Sequence, residues 1–250
     1  MNIHRLFVAG MLLASASAAS AVTIVDIAVS TTGTNVRYVK AANRIYTQTG
    51  NGTSPMWVDA SVTFANAALN TALGTLPVEM KLSAYTTGAA QNVFGTFVQA
   101  LSTSNQSAGT FEVRTKNAVT VGQTDYAAQS NVFTATFGGG AIVGSGTSGS
   151  LAANTSGGAT FSNVSSDFMT FPNSTEYDLN LVLSSLSAAF GATSGQSLND
   201  FRAKANGSFS SDAPGVVSAV VPEPESWAML VVGFGLVGAF RRRSTMVVAA

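Results

Sequence analysis

The chain has 250 residues, of which 10% are charged and 46% hydrophobic, and its twelve acidic side chains balance its twelve basic ones. This length suits one sizeable domain or two small ones, and the absence of cysteine excludes disulfides, thiolate zinc sites and cysteine nucleophiles. The balanced charge predicts no attraction to nucleic acid or an anionic membrane, and so few charges exclude a highly charged disordered tail.

The first 21 residues have the three parts of a secretory signal peptide. Arg5 precedes an apolar run, and small residues then lead to Ala19 and Ala21, which form an A-x-A cleavage site. A second A-x-A sequence at 16–18 is an alternative cleavage point, and a buried N-terminal helix is the alternative to a signal peptide. Cleavage by signal peptidase after Ala21 would start the mature chain at Val22, outside the cytoplasm.

Residues 22–219 alternate apolar and polar side chains wherever they are regular, which predicts strands with one buried face. Such strands are predicted, in chain order, at 56–64, 78–85, 92–101, 111–116, 177–185 and 201–210. Turn-rich clusters separate them, notably at 47–55, 102–110 and 150–160.

The alternation lapses at 65–73 and at 184–192, and a short helix is predicted at one or the other. Many short strands without regular helices between them predict an all-β fold, an antiparallel β-sandwich with a jelly-roll-like arrangement as one form of it. No internal repeat has a fixed period, which argues against a solenoid or propeller. We expect residues 22–219 to form this single passenger domain.

The most biased segment is 137–161, which is rich in glycine and carries no charge. It is either a flexible exposed loop or a pair of glycine-rich edge strands around 141–143 and 159–161. Strands joined by a mobile turn are the favoured interpretation, because a β-domain of this size rarely contains so long a structureless loop.

The mature chain has little catalytic chemistry available. Its only histidine, His4, leaves with the signal peptide, so Ser-His-Asp triads, Cys-His pairs and His-ligated zinc are excluded. Carboxylates remain, as in glycosidases, but they are scattered, and no pair stands out as acid and base. We therefore expect no enzyme activity, no catalytic residue and no cofactor.

The sequence contains two weaker candidate sites. Glu176 and Asp178 could share a strand face, and with Asp167 they are the nearest approach to a calcium-binding cluster, although no D-x-D-x-D loop is present. We predict surface charges there and no metal. Trp57, Tyr38, Tyr46 and Tyr85 could form a sugar-stacking platform, although burial in a core is the commoner fate of large aromatics.

The C-terminal end combines a proline-rich hook, an apolar run and a basic cluster. Its motif residues are Pro222, Glu223, Pro224, Trp227, Ala228, Gly233, Gly235, Gly238, Arg241, Arg242 and Arg243. The uncharged run at 226–240 would span roughly 22 Å as a helix, less than the ~30 Å hydrocarbon core. The prolines keep the segment before it extended, and the arginines would stay on the cytoplasmic side. A permanent single-span anchor is the alternative interpretation.

The three glycines also match the G-x-G-x-x-G pattern of dinucleotide sites. Such a site needs an acidic residue about 20 positions further on, and only twelve residues follow Gly238. The pattern therefore predicts no cofactor site.

Together these features resemble the PEP-CTERM sorting signal, in its PEPxxWA variant. The same kind of tail is also known as an ice-binding-protein C-terminal domain, a label that implies nothing about ice here. The resemblance covers about the last thirty residues, 220–250, and implies recognition by an exosortase, a membrane enzyme that cleaves near the Pro-Glu-Pro.

The resemblance implies a transient inner-membrane intermediate, with a transmembrane helix at about 226–240, in a Gram-negative bacterium. The released protein is then expected at the cell surface or in the exopolysaccharide matrix of a biofilm, in a structural or adhesive role. A carbohydrate-binding module of the matrix, with exopolysaccharide as its partner, is the alternative, and a secreted carboxylate-dependent hydrolase is a further one.

Overall fold

The structure is a computed structural model that describes residues 22–29, 33–104, 108–171, 174–212 and 216–217. All of them fall within the first of the two units into which the chain divides, Met1–Ser218. These residues form eighteen strands and one α-helix. The predicted all-β class is therefore confirmed.

The strands are β1 (Val22–Val29), β2 (Val36–Val39), β3 (Arg44–Thr47), β4 (Val58–Phe64), β5 (Thr75–Tyr85), β6 (Gln91–Val93), β7 (Thr96–Ala100), β8 (Gly109–Thr115), β9 (Val119–Val121), β10 (Thr124–Tyr126), β11 (Asn131–Gly138), β12 (Ala141–Ser145), β13 (Ser148–Asn154), β14 (Thr160–Ser165), β15 (Met169–Thr170), β16 (Tyr177–Ser184), β17 (Phe201–Ser211) and β18 (Val216–Val217). Helix α1 (Ala67–Leu73) lies between β4 and β5, and a 3-10 turn (Lys40–Ala42) lies between β2 and β3.

Fourteen of these strands form one antiparallel sheet, in the order β14-β11-β8-β5-β3-β2-β17-β16-β13-β12-β7-β6, with β1 and β4 beside this path. The long strands β5 and β17 each have two partners along one edge. β5 pairs with β4 over 75–80 and with β3 over 83–85. β17 pairs with β2 over 201–203 and with β1 over 207–211. The pairs β1–β4 and β2–β3 therefore both connect β5 to β17.

The sheet folds over so that its inner faces pack against each other. The ring centroids of Phe133 on β11 and Phe209 on β17 are 4.0 Å apart, although these strands are five positions apart in the sheet order. A flat sheet would separate them by ~24 Å, at about 4.8 Å per strand. Phe161 on β14 also contacts Phe209, with 6.2 Å between centroids. The buried side chains of these strands belong to one hydrophobic core.

The predicted alternation is present along the sheet. On β8 the buried Phe111, Val113 and Thr115 alternate with the half-buried Glu112 and Arg114. The same pattern buries Leu179, Leu181 and Leu183 on β16. Strands are thus confirmed at 78–85, 111–115, 177–184 and 201–210. In a fifth predicted segment, 56–64, the strand β4 begins at Val58.

Helix α1 confirms the predicted helix at 65–73. Asn66 caps it, because its side-chain oxygen accepts hydrogen bonds from the N–H groups of Ala68 and Leu69 at 3.0 and 3.2 Å. Gly74, with φ of 55°, ends it. The alternative helix at 184–192 is wrong: β16 ends at Ser184, and the residues after it form bends without a helical turn.

The predicted continuous strand at 92–101 is wrong, because it is a hairpin of β6 and β7. Phe94 and Gly95 form its turn, with φ of 53° and 86°. Two positive φ values are the signature of a type I′ turn, whose twist suits a two-residue hairpin. Phenylalanine rarely adopts this conformation, and so the apolar Phe94 made the sequence look like a continuous strand.

The glycine-rich segment 137–161 forms strands, as the favoured interpretation predicted, and includes β12, β13 and the start of β14. The edge position is confirmed only in part: β14 ends the sheet, whereas β12 lies between β7 and β13. The predicted turn cluster at 150–160 is correspondingly shorter. Its first five residues belong to β13, because Leu151 and Ala153 are buried in the core.

Candidate functional site

A row of cationic and aromatic side chains crosses the outer face of the sheet. Arg202 on β17 lies directly opposite Arg37 on β2, and Arg37 lies opposite Tyr46 on β3. Two residues before Tyr46, Arg44 lies opposite Tyr85 on β5. We call these five residues the basic–aromatic row. Like charges directly opposite each other on antiparallel strands repel, so the Arg37–Arg202 pair requires compensation.

Neutral acceptors of the loop 48–56 supply part of that compensation. The Arg37 Nη1 atom donates to the carbonyl oxygens of Asn51 and Gly52 at 3.2 and 3.0 Å. The Arg202 Nη2 atom donates to Asn51 Oδ1 at 2.5 Å. The Tyr46 hydroxyl donates to the Gly52 carbonyl at 3.2 Å. These bonds hold the loop over β2 and β3, and Tyr46 is buried beneath it.

Arg44 is held by a hydroxyl and by two rings. Its Nε and Nη2 atoms donate to Ser83 Oγ at 3.1 and 2.7 Å. Its guanidinium carbon lies 4.8 Å from the Tyr85 ring centroid and 5.6 Å from that of Tyr46, within the range of cation–π attraction.

The arginines of the row have no carboxylate partner among the described residues. The ion pairs of these residues are Lys81–Glu112, Arg114–Glu79 and Lys116–Asp59. Asp200, two residues before Arg202, accepts a hydrogen bond from the Lys40 N–H at 2.7 Å. The row is therefore a local excess of positive charge on a chain that is neutral overall.

A depression of about 490 Å³ lies in the same loop, lined by residues of 48–56. Gln48, one of them, is only 5% exposed, and its side-chain oxygen has no hydrogen-bond partner. The Gln48 N–H donates to the carbonyl of Asn35 at 2.8 Å, and Asn35 is fully buried with an unpartnered Nδ2 atom. One acceptor, on the first residue of the loop, and one donor, on Asn35 beside it, therefore lack a hydrogen-bond partner.

The four aromatic residues do not form the sugar-stacking platform that was the less favoured alternative to their burial. Tyr38 and Tyr46 are 0% and 1% exposed, so neither presents a ring to solvent. Tyr38 stacks on Phe201, and burial raises the pKa of its hydroxyl. Trp57 is half-buried against the Arg114 guanidinium, 3.8 Å from its ring centroid. Of the four rings, Tyr85 and Trp57 remain partly accessible.

The carboxylates considered as a pair or cluster have separate structural roles. Burial raises the pKa of Asp178 on β16. Glu176 donates its N–H to Asp212, whose pKa is lowered by hydrogen bonds from the Thr175 hydroxyl and nearby backbone N–H groups. Asp167 accepts a hydrogen bond from the Asn131 N–H at 2.7 Å. Within the described ranges no group of three or more acidic or histidine side chains could hold a metal ion.

A second depression, of about 350 Å³, lies where β1, β4 and β17 meet, and Asp26, Ser61, Asn206 and Ser208 are among its lining residues. The Asn206 side-chain oxygen accepts a hydrogen bond from the Val29 N–H at 2.9 Å. This depression therefore combines one exposed carboxylate with polar groups that stabilise the strand pairing.

Sequence reasoning missed Arg37, Arg44, Arg202 and Gln48 as site residues. Each arginine is an outward residue of an alternating strand, which indicates only a solvated charge. The available signal was the lack of an acidic residue between Asp26 and Asp59, a stretch that holds Arg37 and Arg44. Their juxtaposition with Arg202 depends on strand order, which alternation does not specify.

The predicted cleavage and sorting residues lie outside the described part of the chain. These are Ala19 and Ala21, and the motif from Pro222 to Arg243, so the domain boundaries at 21 and 219 stay predictions. In the part that is described, no helix has the length and apolarity needed to cross a membrane, and the predicted span at 226–240 lies beyond it. The last described strand, β18, ends at Val217.

Comparison with known proteins identifies the C-terminal end alone. No curated protein and no solved structure matches the chain. Residues 220–243 match the family described as "PEP-CTERM protein-sorting motif". This match covers the hook, the apolar run and the arginines identified in the sequence, and about a tenth of the chain. The chain therefore carries a PEP-CTERM sorting motif, the signal of exported proteins that an exosortase sorts.

Proposed function

We propose that the protein is a cell-surface or exopolysaccharide-matrix protein that is released from the inner membrane by cleavage near Pro222-Glu223-Pro224. The observation that carries this proposal is the sorting motif at 220–243. It begins three residues after β18, the last described strand of the β-rich part. In this proposal the passenger stays outside the membrane while the enzyme acts.

The two charged ends of the motif have different tasks in this proposal. Arg241, Arg242 and Arg243 stop translocation, because moving each charge through hydrocarbon costs ~2.5 kcal/mol or more. The two prolines of the hook hold the segment outside the membrane extended for the processing enzyme. Signal peptidase removes residues 1–21 in a separate, earlier step.

We propose a structural or adhesive role, without enzyme activity, for a passenger that forms an antiparallel β-sandwich. The contacts of Phe209 with Phe133 and Phe161 support two facing layers. The structural roles of Asp167 and Asp212 support the lack of catalysis, since each carboxylate binds backbone N–H groups of its own fold.

The alternative function, carbohydrate binding in the matrix, is supported by the basic–aromatic row and by the depression beside it. A carboxylate-dependent hydrolase would need two carboxyl groups about 5–10 Å apart across a cleft. Asp178 has a raised pKa but is accompanied on its neighbouring strands by Asn154 and Ser210, which cannot act as the second carboxylate.

Mass spectrometry of the C-terminus in the native host tests the sorting proposal. The wild-type surface protein should end near residue 222, without Arg243. Changing Pro222, Glu223 and Pro224 to alanine should leave a full-length, membrane-bound chain. Changing the three arginines to serine should release an uncut chain, because nothing then stops its translocation.

The matched control is Glu225→Gln, which removes a neighbouring charge and keeps the Pro-Glu-Pro and Trp227-Ala228 positions. This variant should be processed like the wild type. A surface-localised wild-type protein that retains Arg243 would contradict the proposal and indicate a permanent anchor instead.

A further inference from the structure

We propose that the loop 48–56 and the arginines beneath it form a binding site for a uronate-bearing polysaccharide. The sugar carboxylate would bind between Arg37 and Arg202, and a neighbouring hydroxyl would enter the depression at Gln48. This inference rests on the proposed matrix role, which supplies the setting in which the protein meets such a polymer.

The first step of the argument is the charge of the arginine pair. Arg37 and Arg202 lie opposite each other, and their acceptors in the loop are two backbone carbonyls and the Asn51 amide. All three acceptors are neutral. A carboxylate accepts stronger, charge-assisted hydrogen bonds, and the planar guanidinium group matches its two oxygens. An anionic group is therefore the ligand that relieves the repulsion between these two side chains.

The second step is the unpaired polar atoms. Gln48 lines the depression and is only 5% exposed. Its Oε1 atom has no hydrogen-bond partner. The Asn35 Nδ2 atom, on the residue bonded to the Gln48 backbone, also has none. Buried polar groups are almost always hydrogen-bonded in native proteins. A sugar hydroxyl that enters the depression can donate a hydrogen bond to the Gln48 Oε1 atom, because Gln48 lines it.

The third step is the construction of the loop. Gly52 lies against the Gln48 side chain, and a Cβ atom at this position would overlap the Gln48 amide. Glycine here lets the loop approach the glutamine closely. Thr49, Thr53 and Ser54 are in the exposed part of the loop and offer further hydroxyl groups to a sugar.

The fourth step distinguishes a saccharide from a nucleic acid. The chain has twelve bases and twelve acids, but Arg5, Arg241, Arg242 and Arg243 and two acids, Glu223 and Glu225, lie outside 22–219. The passenger range therefore has two more acids than bases. A long polyphosphate would be repelled by this net charge, whereas a widely spaced carboxylate needs only the local arginine pair.

Isothermal titration calorimetry of the processed protein from its host, with tetragalacturonate as the probe, tests the site. The methyl-esterified tetramer is the matched neutral ligand, and inorganic phosphate is the probe for simple anion binding. We expect tetragalacturonate to bind at least tenfold more tightly than either. Equal binding of the ester, or of phosphate, would overturn the uronate proposal.

Three variants locate the site. Arg37→Gln with Arg202→Gln should weaken tetragalacturonate binding at least tenfold, and Gln48→Met should weaken it severalfold. Lys116→Gln, which removes a cation paired with Asp59 elsewhere on the sheet, should leave binding unchanged. Equal affinities of the arginine variant and the Lys116 variant would overturn the assignment.

The single Arg202→Lys variant provides a second measurement if the double variant does not fold. It keeps the charge and loses the planar fork, so we expect an intermediate affinity, and wild-type affinity would contradict the role of Arg202. The C-terminal mass of the protein is measured independently. A correctly processed protein that does not bind tetragalacturonate would disprove this inference and leave the sorting proposal intact.

Discussion

Asp178 shows how the position of one carboxyl group affects stability. It lies on β16 between Asn154 of β13 and Ser210 of β17, and neither neighbour is a cation. Burial raises its pKa above the ordinary value of 3.8. The folded protein therefore binds the Asp178 proton more tightly than the unfolded chain does, and the ionised carboxylate opposes folding.

The pH dependence of Asp178→Asn follows from this direction. The free-energy cost of burying the ionised carboxylate is absent well below pH 3.8, where Asp178 is protonated in both the folded and the unfolded chain. It appears as the pH rises through 3.8 and reaches its full size above the raised pKa. The variant should therefore have a higher urea midpoint than the wild type at about pH 7 and the same midpoint at about pH 3. Asp26→Asn, at an exposed acid, is the control. A lower midpoint for Asp178→Asn at pH 7 would show that the carboxylate stabilises the fold.

At the scale of elements, an aromatic ring from a distant part of the chain packs on two glycines of the glycine-rich strands. Gly144 on β12 lies opposite Gly149 on β13. A Cβ atom at either glycine would overlap the ring of Phe190, which covers both. Phe190 is itself only 6% exposed and lies 5.0 Å from the Phe201 ring. The two glycines thus provide a flat surface on which the ring packs.

Gly149→Ala should destabilise the protein by ~1–3 kcal/mol, because the added methyl group would overlap both the Phe190 ring and the backbone oxygen of Val143. Phe190→Leu in the same chain should recover part of this loss, since the smaller side chain leaves room. Urea unfolding of the single and double variants measures their coupling. Ser148→Ala, at the exposed position before Gly149, is the control. Strictly additive effects of Gly149→Ala and Phe190→Leu would exclude this contact.

The elements that the sequence predicted are those whose signal is local. β5, β8, β16 and β17 alternate over seven or more residues, and α1 combines a lapse of alternation with a cap at Asn66. The hairpin at Phe94 was missed because an apolar residue occupies a turn position. The basic–aromatic row was missed because its members are far apart in sequence and meet only through strand pairing.

At the scale of the whole molecule, β17 is one of the two strands that have three partners in the large sheet, and β5 is the other. β17 pairs with β16 along one edge and with β2 and β1 along the other. A chain that ends at Asn199 should therefore lose cooperative unfolding altogether, because three strands lose a partner together. A chain that ends at Asp212 lacks only β18 among the described strands and should still unfold cooperatively.

Circular dichroism during thermal unfolding distinguishes the two chains. The longer one should give a β-rich spectrum and one sharp transition, and added reductant should change neither, since cysteine is absent. A sharp transition in the chain that ends at Asn199 would show that the remaining strands fold without β17.

The pairing of β1 with β17 also determines when the fold can be completed. Val22 pairs with Ser211, so the first strand to be synthesised waits for almost the last one. Pairings between such distant residues form slowly, and a partial chain has no substitute for them. The sorting motif begins at residue 220, only nine residues after Ser211. During export we therefore expect the β1–β17 pairing, and with it the complete sheet, to form only once Ser211 has crossed the membrane, shortly before the sorting motif reaches it.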